Sequence, residues 1–393
     1  MEDTVVLKFG GSSVKDHDHL RAVAKRIIEK KEMVKNVVVT VSAMGDTTDE
    51  LIEKAKKIDN NPSKREMDQL LVTGEQITIA LLAMMIQSLG HDAISLTGQQ
   101  AGFVTYGHHG RQKIDNINPK RVIRGLKENK IVIVAGFQGI NDIGDQTTLG
   151  RGGSDTSAVA LAAKLNCPCE IYTDVDGIYT VDPRIFPDAK RNDYLSYEEV
   201  MEMASLGAGV IASRAVELAY RYKVPLYIGR STGKSIGTRI EESRLEKNTI
   251  TNISVLKNIL LVDLKSDHLK NKSAHVFKEL AGADVNIDVI SLNSNTNNQN
   301  IYFTTTEESK NDIELLFKEE EIEANFQEGI VKVSVIGDAM RNQSGIAARA
   351  FGVLVDNHID FYQVSTSEIS ISFLIDGKNE ATAVRGLARE FNL

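Results

Sequence analysis

The chain has 393 residues, 42% of them hydrophobic and 25% charged, with a net charge of −8. That length holds two or three ordinary domains with a large buried core, and the acidic balance argues against a nucleic-acid surface, so any anionic partner needs a local basic site. Neither a basic-then-apolar leader nor an apolar run near the ~18 residues of a membrane span is visible, so a cytoplasmic protein is expected.

From the N-terminus, short apolar β-branched runs fall at 4–9 ("TVVLKF"), 36–42, 92–97, 131–137, 169–174 and 224–229. Helical spacing of apolar residues falls between them, at 18–31, 77–90, 155–166 and 209–223. Runs apolar on both faces and separated by helices are buried parallel strands, which predicts an α/β fold, a three-layer αβα sandwich. Gly90 marks a helix stop, and Ser154 or Asp155 a helix cap. The two cysteines, Cys167 and Cys169 in "NCPCE", have the spacing of neither a zinc pair nor a redox motif and read as small apolar residues beside a buried strand.

The first strand runs into "KFGGSSV" (8–14). Gly10 and Gly11 lack side chains, so their N–H groups can approach a phosphate, with Ser12 and Ser13 adding hydroxyls. A helix over 16–31 would point its positive end at the same place, and Lys8 at the strand end can reach phosphate oxygens. The bland alternative is a tight turn with an exposed lysine. "TTLGRGGSDTSAVALA" (147–162) repeats the arrangement, with Arg151 suited to a two-pronged grip on a carboxylate or, equally, a turn and cap. Two such turns suggest two anions face to face, as phosphoryl transfer to a carboxylate requires.

"TDVDGIYTVDPRIFPDAK" (173–190) gathers Asp174, Asp176, Tyr179, Asp182 and Arg184 after a strand, a place for a nucleotide or for a solvated loop. Glu75, beside Gly74, can hold a substrate ammonium or serve as a first-turn helix acid. The eight histidines show no metal pattern and read as surface residues. Two glycine motifs are decoys. "GAGVIA" (207–212) follows a helical stretch where a dinucleotide fingerprint needs a strand. "GRSTGKS" (229–235) is one residue short of a P-loop and is followed by no good helix.

Beyond residue 245, 273–291 and 347–365 match at a constant offset of 74, pairing Phe277 with Phe351 and Leu280 with Leu354. Each copy reads β-α-β-β with a closing helix, at 310–319 and 379–391, so the C-terminal part is an internal repeat of a small split βαβ unit. "NSNTNNQN" (293–300) reads as a mobile hairpin loop.

In order along the chain, "KFGGSSV", "VSAMGDTTDEL" (41–51), "KREMDQLLVTGEQ" (64–76), "IVAGFQG" (133–139), "TTLGRGGSDTSAVALA" and "YTDVDGIYTVDPR" (172–184) resemble the blocks of aspartate kinases of the amino-acid kinase family. The doubled repeat resembles their paired ACT domains, and "QVSTSEISIS" (363–372) their second module. The resemblance implies a catalytic domain over 1–245 and two ferredoxin-like (βαββαβ) ACT domains over 246–328 and 329–393. It implies transfer of the γ-phosphoryl of ATP, with Mg2+, to the β-carboxylate of L-aspartate, the first step towards lysine, methionine and threonine.

It also implies roles. Lys8 neutralises the transferring group, Phe9, Gly10, Gly11 and Ser12 line the phosphates, and Asp155 orients Lys8 or the metal shell. Arg151 clamps an aspartate carboxylate, Glu75 holds its ammonium, and Ser42, Thr47, Gly152, Gly153 and Ser154 complete the substrate site. Thr173, Asp174, Tyr179, Asp182, Arg184 and Lys234 form the nucleotide side. Met340, Ser344, Gly345, Ser367, Glu368 and Asp288 would meet an effector, lysine or threonine, and pairing of ACT sheets would give a homodimer or larger assembly. No metal ligands of the protein's own are expected. Two departures stand out: Ala212-Ser213 replaces the family's usual His-Pro, and the first repeat lacks the Pro-Gly or Ser-Gly turn that Ser344-Gly345 supplies in the second. Competing readings are a glutamate or N-acetylglutamate kinase and a non-catalytic amino-acid sensor on the same fold.

Overall fold

The apolar runs of the first half assemble side by side. β1 (Thr4–Phe9) pairs in parallel with β2 (Asn36–Val41), Val6 opposite Val38 and Lys8 opposite Thr40. Five of the six β1 residues and all of β2 are buried, and Lys8 alone is partly exposed. Further along the chain come β3 (Ala93–Leu96), β4 (Phe103–Tyr106), β5 (Lys113–Ile117), β6 (Ile131–Ala135), β7 (Gln138–Ile140) and β8 (Gln146–Thr148). β9 (Cys169–Thr173), β10 (Tyr194–Ser196), β11 (Leu226–Arg230) and β12 (Thr238–Glu241) follow. The main sheet has the order β10-β12-β11-β9-β1-β2-β6-β3, and a second sheet has the order β5-β4-β7-β8.

Helices α1 (His17–Met33) and α3 (Lys64–Ser88) cover one face, where Val23 and Ile27 of α1 and Leu82 and Ile86 of α3 meet Leu7, Phe9, Val39 and Ile133. Between them lie α2 (Thr47–Lys56) and, later, the short α4 (Gly98–Ala101) and α5 (Lys120–Lys127). On the other side α6 (Gly153–Leu165) packs against β1 and against α8 (Ser213–Tyr222), with α7 (Tyr197–Ser205) preceding α8. α3 is long and apolar enough to span a bilayer by length and composition, yet half of that stretch is buried in this fold as a core helix.

The computed structural model describes residues 3–233, 236–242, 249–265, 269–283, 285–295, 298–320 and 322–393. The chain divides into two units: Met1–Tyr179, Arg191–Ala204 and Gly209–Glu246, and Thr180–Lys190, Ser205–Ala208 and Lys247–Leu393.

The second unit carries β13 (Asn252–Lys265), α9 (Leu269–Gly282), β14 (Ile290–Asn295), β15 (Asn298–Thr306), α10 (Lys310–Glu319) and β16 (Ala324–Ile336). It ends with α11 (Ile346–Asp356), β17 (Phe361–Thr366), β18 (Ser370–Asp376) and α12 (Glu380–Glu390). Its sheet order is β14-β15-β13-β16-β18-β17. The repeat is present, but the second copy ends in a helix and takes its fourth strand from upstream. Residues 252–256 pair with 332–336 in the second copy, whereas 261–264 pair with 324–327 in the first. Register shifts between Leu256 and Ile259 and between Ile259 and Leu261 separate the two stretches. Each copy has its own core, Leu260, Val276, Leu280 and Phe303 in the first and Val333, Leu354, Phe373 and Leu387 in the second. Val181 and Phe186, which follow the nucleotide-side strand in sequence, are buried in the second core.

Several local expectations change. α3 starts at Lys64, not near residue 77, so Glu75 is a mid-helix residue and not a first-turn acid. α6 is capped by Gly152 in the left-handed region (φ 71°), without a side-chain bond from Ser154 or Asp155. A 3-10 turn (Gly11–Val14) separates the first glycine pair from α1, whose first turn is capped by Asp16, so the α1 terminus is not directly behind Gly10 and Gly11. The asparagine-rich hairpin is laddered, Asn293 opposite Asn300 and Asn295 opposite Asn298, with residues 296–297 outside the described residues.

Candidate active site

Lys8 sits one residue before the end of β1, and its Nζ forms an ion pair at 2.6 Å with Asp155 Oδ1 in the first turn of α6. Both side chains are 12% exposed. A cavity of about 230 Å3 opens here, lined by Lys8, Ser42, Glu75, Phe137, Arg151 and the Gly152–Asp155 stretch, among others. Close backbone approach explains the glycines: a Cβ on Gly11 would lie 2.8 Å from the Ala43 carbonyl oxygen, and one on Gly152 2.3 Å from Ala212 Cβ. The second contact also bears on Ala212, whose N–H donates to Asp155 Oδ2 at 3.3 Å. Ser12 is exposed, whereas Ser13 is buried with no partner for its hydroxyl. With no side-chain cap on α6, its first-turn N–H groups suit an anion at the cavity.

Glu75 is 3% exposed. Its Oε1 accepts from Ala43 N–H at 3.1 Å and its Oε2 has no partner. Burial pushes its carboxyl up to about 7. Ser42 lines the cavity, but Thr47 does not: its hydroxyl donates to the Met44 carbonyl at 2.6 Å, and the threonine facing the cavity is Thr48. Phe137 also lines it, and the sequence reading passed over it. Its φ of 67° is uncommon for an aromatic residue, a form of strain that gathers at functional sites. Its carbonyl accepts from Leu149 N–H, and a Cβ on Gly153 would meet its ring at 2.8 Å.

The nucleotide-side residues divide. Thr173 ends β9 and donates to Asp174 Oδ1 at 2.9 Å, and Tyr179 donates to Asp176 at 3.0 Å. Asp182 and Arg184 lie in the second unit, where their mutual hydrogen bonds hold the Asp182 carboxyl below its usual range. Lys234 lies outside the described residues. A larger groove of about 720 Å3 runs beside α1, but Lys30 and Tyr172 already engage Glu170 there, each at 2.7 Å.

In the second unit, Met340, Ser344 and Gly345 precede α11, Gly345 capping it at φ 92°. Ser367 and Glu368 form the turn between β17 and β18, where Ser367 and Ser370 hydroxyls bond at 2.9 Å. Asp288 of the first copy is paired with the buried Lys332 of β16. Among the histidines, His109 is no bare surface residue: Asp68, fully buried on α3, binds its Nδ1 at 2.6 Å.

The profile of the Amino acid kinase family matches residues 3–230, and that of the ACT domain matches residues 333–391. An aspartokinase of Geobacillus stearothermophilus is 45% identical over 395 residues, covering 99% of this chain and 97% of that protein. Two solved structures of Escherichia coli aspartokinase III cover 99% of this chain and all of theirs. The one in complex with aspartate and ADP superimposes with a TM-score of 0.83 at 24% identity, and the one with lysine and aspartate with 0.80 at 25%. The fold fits these matches, and identity of this order along both full lengths settles descent: the chain belongs to the aspartokinases of the amino acid kinase family.

Proposed function

We propose that the chain transfers the γ-phosphoryl group of ATP to the β-carboxylate of L-aspartate, giving 4-phospho-L-aspartate and ADP. The observation that carries this is the cavity that joins Lys8, Arg151 and the α6 terminus to the buried, half-satisfied Glu75. An ammonium answers the open Oε2 of Glu75, and Arg151 takes the α-carboxylate. The β-carboxylate is then directed towards Lys8. It is anionic at neutral pH and needs no general base. Lys8, the glycine turn and the α6 terminus neutralise charge on the transferring group, while Asp155 fixes the lysine. Phe9, Gly10, Gly11 and Ser12 carry the phosphates, and Thr173, Asp174 and Tyr179 the rest of the nucleotide.

Magnesium accompanies ATP as part of the substrate. Among the described residues no three carboxylate, histidine or cysteine side chains are placed to hold a metal ion together. An acylated amine would leave Glu75 buried without a cation, so the free amino acid is favoured over N-acetylglutamate.

Lysine, the ligand of one matched E. coli enzyme, is the effector we assign, alone or with threonine, through the segments around Met340, Ser344, Gly345, Ser367, Glu368 and Asp288. Assembly as a dimer or larger oligomer fits the outermost strands β14 and β17, which expose Ile290, Phe361 and Tyr362. ATP and a free amino acid as substrates favour the cytoplasm.

Hydroxylamine trapping with MgATP tests the reaction. Hydroxamate is expected from L-aspartate and not from L-glutamate or N-acetyl-L-glutamate, with suppression by lysine. No hydroxamate from any of the three, with aspartate still binding by calorimetry, would move the assignment to an amino-acid sensor.

Glu75 gives a pH dependence with a fixed sign. Its folded carboxyl titrates near 7, and the ammonium binds only the ionised form. Aspartate binding should therefore weaken as pH falls below 7, by about tenfold per unit, and level off above it. In Glu75→Gln the KM profile for aspartate should lose that slope, which a series of KM measurements from pH 5.5 to 8.5 would show.

A further inference from the structure

The face of α3 that carries Glu75 carries a second buried carboxylate two helical turns earlier. Asp68 is 0% exposed, and unlike Glu75 it is fully satisfied. It accepts from His109 Nδ1 at 2.6 Å, from Gly110 N–H at 3.1 and 3.2 Å, and from Thr148 Oγ1 at 2.5 Å. These donors come from the loop between β4 and β5 and from the last residue of β8. Thr148 stands three residues before Arg151. Gln112 N–H bonds the Thr148 carbonyl at 2.9 Å, and a Cβ on Gly150 would lie 3.2 Å from the Gly110 carbonyl oxygen, so the loop backs the arginine turn. Arg214 closes the far side, donating to the Leu149 carbonyl at 3.0 Å and the Gln112 carbonyl at 3.2 Å. His109 Nε2 in turn faces Asp145 at 3.8 Å, and Asp145 is held by Arg65 at 2.7 Å.

One rigid helix thus holds both ends of the substrate site. Glu75 marks the ammonium end directly. Asp68, about 10 Å away along the axis, ties down the turn that presents Arg151. We propose that the Asp68–Thr148 link is the positioning device that fixes the spacing between Glu75 and Arg151, and so sets selection of a four-carbon over a five-carbon amino diacid. The inference rests on the assignment of Glu75 and Arg151 to aspartate. Asp68 touches no substrate; it acts through Thr148 and the loop at His109.

Thr148→Val removes the hydroxyl and keeps the shape, and Thr148→Ser restores the hydroxyl. For Thr148→Val we expect KM for aspartate to rise tenfold or more, KM for ATP to stay within twofold, and the ratio of kcat/KM for aspartate over glutamate to fall at least fivefold. Thr148→Ser should return all three to within about twofold of the parent. His109→Ala should shift the same ratio in the same direction. Equal rises in both KM values, or an unchanged selectivity ratio in Thr148→Val, would overturn the proposal, as would Thr148→Ser behaving like Thr148→Val. Arg151→Ala serves as the reference. If it leaves KM for aspartate unchanged, the substrate assignment itself fails; if it raises KM while Thr148→Val does not, only the ruler fails. Thermal melts of each variant separate loss of positioning from loss of fold.

Discussion

Lys8→Ala is expected to fold and to bind aspartate, yet to lose at least 10²–10³-fold in kcat, on the scale of removing a single preorganised donor to a developing charge. The reasoning starts from the reaction's demands. With the nucleophile already ionised, two anions must meet, and the cavity offers one lysine at the strand end to compensate them. Removing Lys8 also strips Asp155 of its 2.6 Å partner, leaving a mostly buried carboxylate beside the phosphates. Lys8→Arg should recover little, because a planar fork differs from a compact ammonium in shape and reach. Steady-state kinetics with calorimetric aspartate titration checks this. Near-parental kcat in folded Lys8→Ala would remove Lys8 from the chemistry.

The second large effect concerns the C-terminal unit. Phe373 is fully buried on β18 and packs edge-on against Phe351 at 5.2 Å and Phe361 at 6.2 Å between ring centres. Phe373→Ala should cost this unit about 3–5 kcal/mol, since the aromatic cluster cannot collapse into the gap. Val181 and Phe186 belong to the same core, so the segment bearing Asp182 and Arg184 should loosen with it. Suppression by lysine should disappear. Scanning calorimetry with initial rates decides it. An unchanged melt would show that the cluster is not the core of this unit, and intact suppression by lysine would separate the effector response from it.

Much of the main sheet was legible because its strands are apolar on both faces, as in "NVVVTV", where local pattern and burial coincide. The small sheet was not. Its strands are three to five residues long, and β5, "KIDNI", has two exposed residues between its ends. The start of α3 was hidden by Gly74, which interrupts the helical pattern but lets the helix approach Ala43, where a Cβ would lie 2.8 Å from the Ala43 side chain. Lys8, Arg151 and the second glycine pair, which stood out in the sequence, line one cavity. The sequence could not say that Thr48, not Thr47, lines the cavity, since either of two adjacent hydroxyls can turn inward. Phe137 carries its signal in a backbone angle, and Asp68 carries its own in partners 41 to 80 residues away. Neither leaves a local trace. The second copy's use of an upstream strand was equally silent, because pairing across copies looks the same in sequence as pairing within one.

That borrowed strand ties the two C-terminal copies into one cooperative body. β13 and β16 lie side by side at the centre of one six-stranded sheet and pair in both copies, so opening of either copy disturbs strands that the other shares. Free energy delivered to either copy is therefore shared by both. An amino acid bound to one copy protects the whole unit by RT ln(1 + [L]/Kd), including the copy that never touches it.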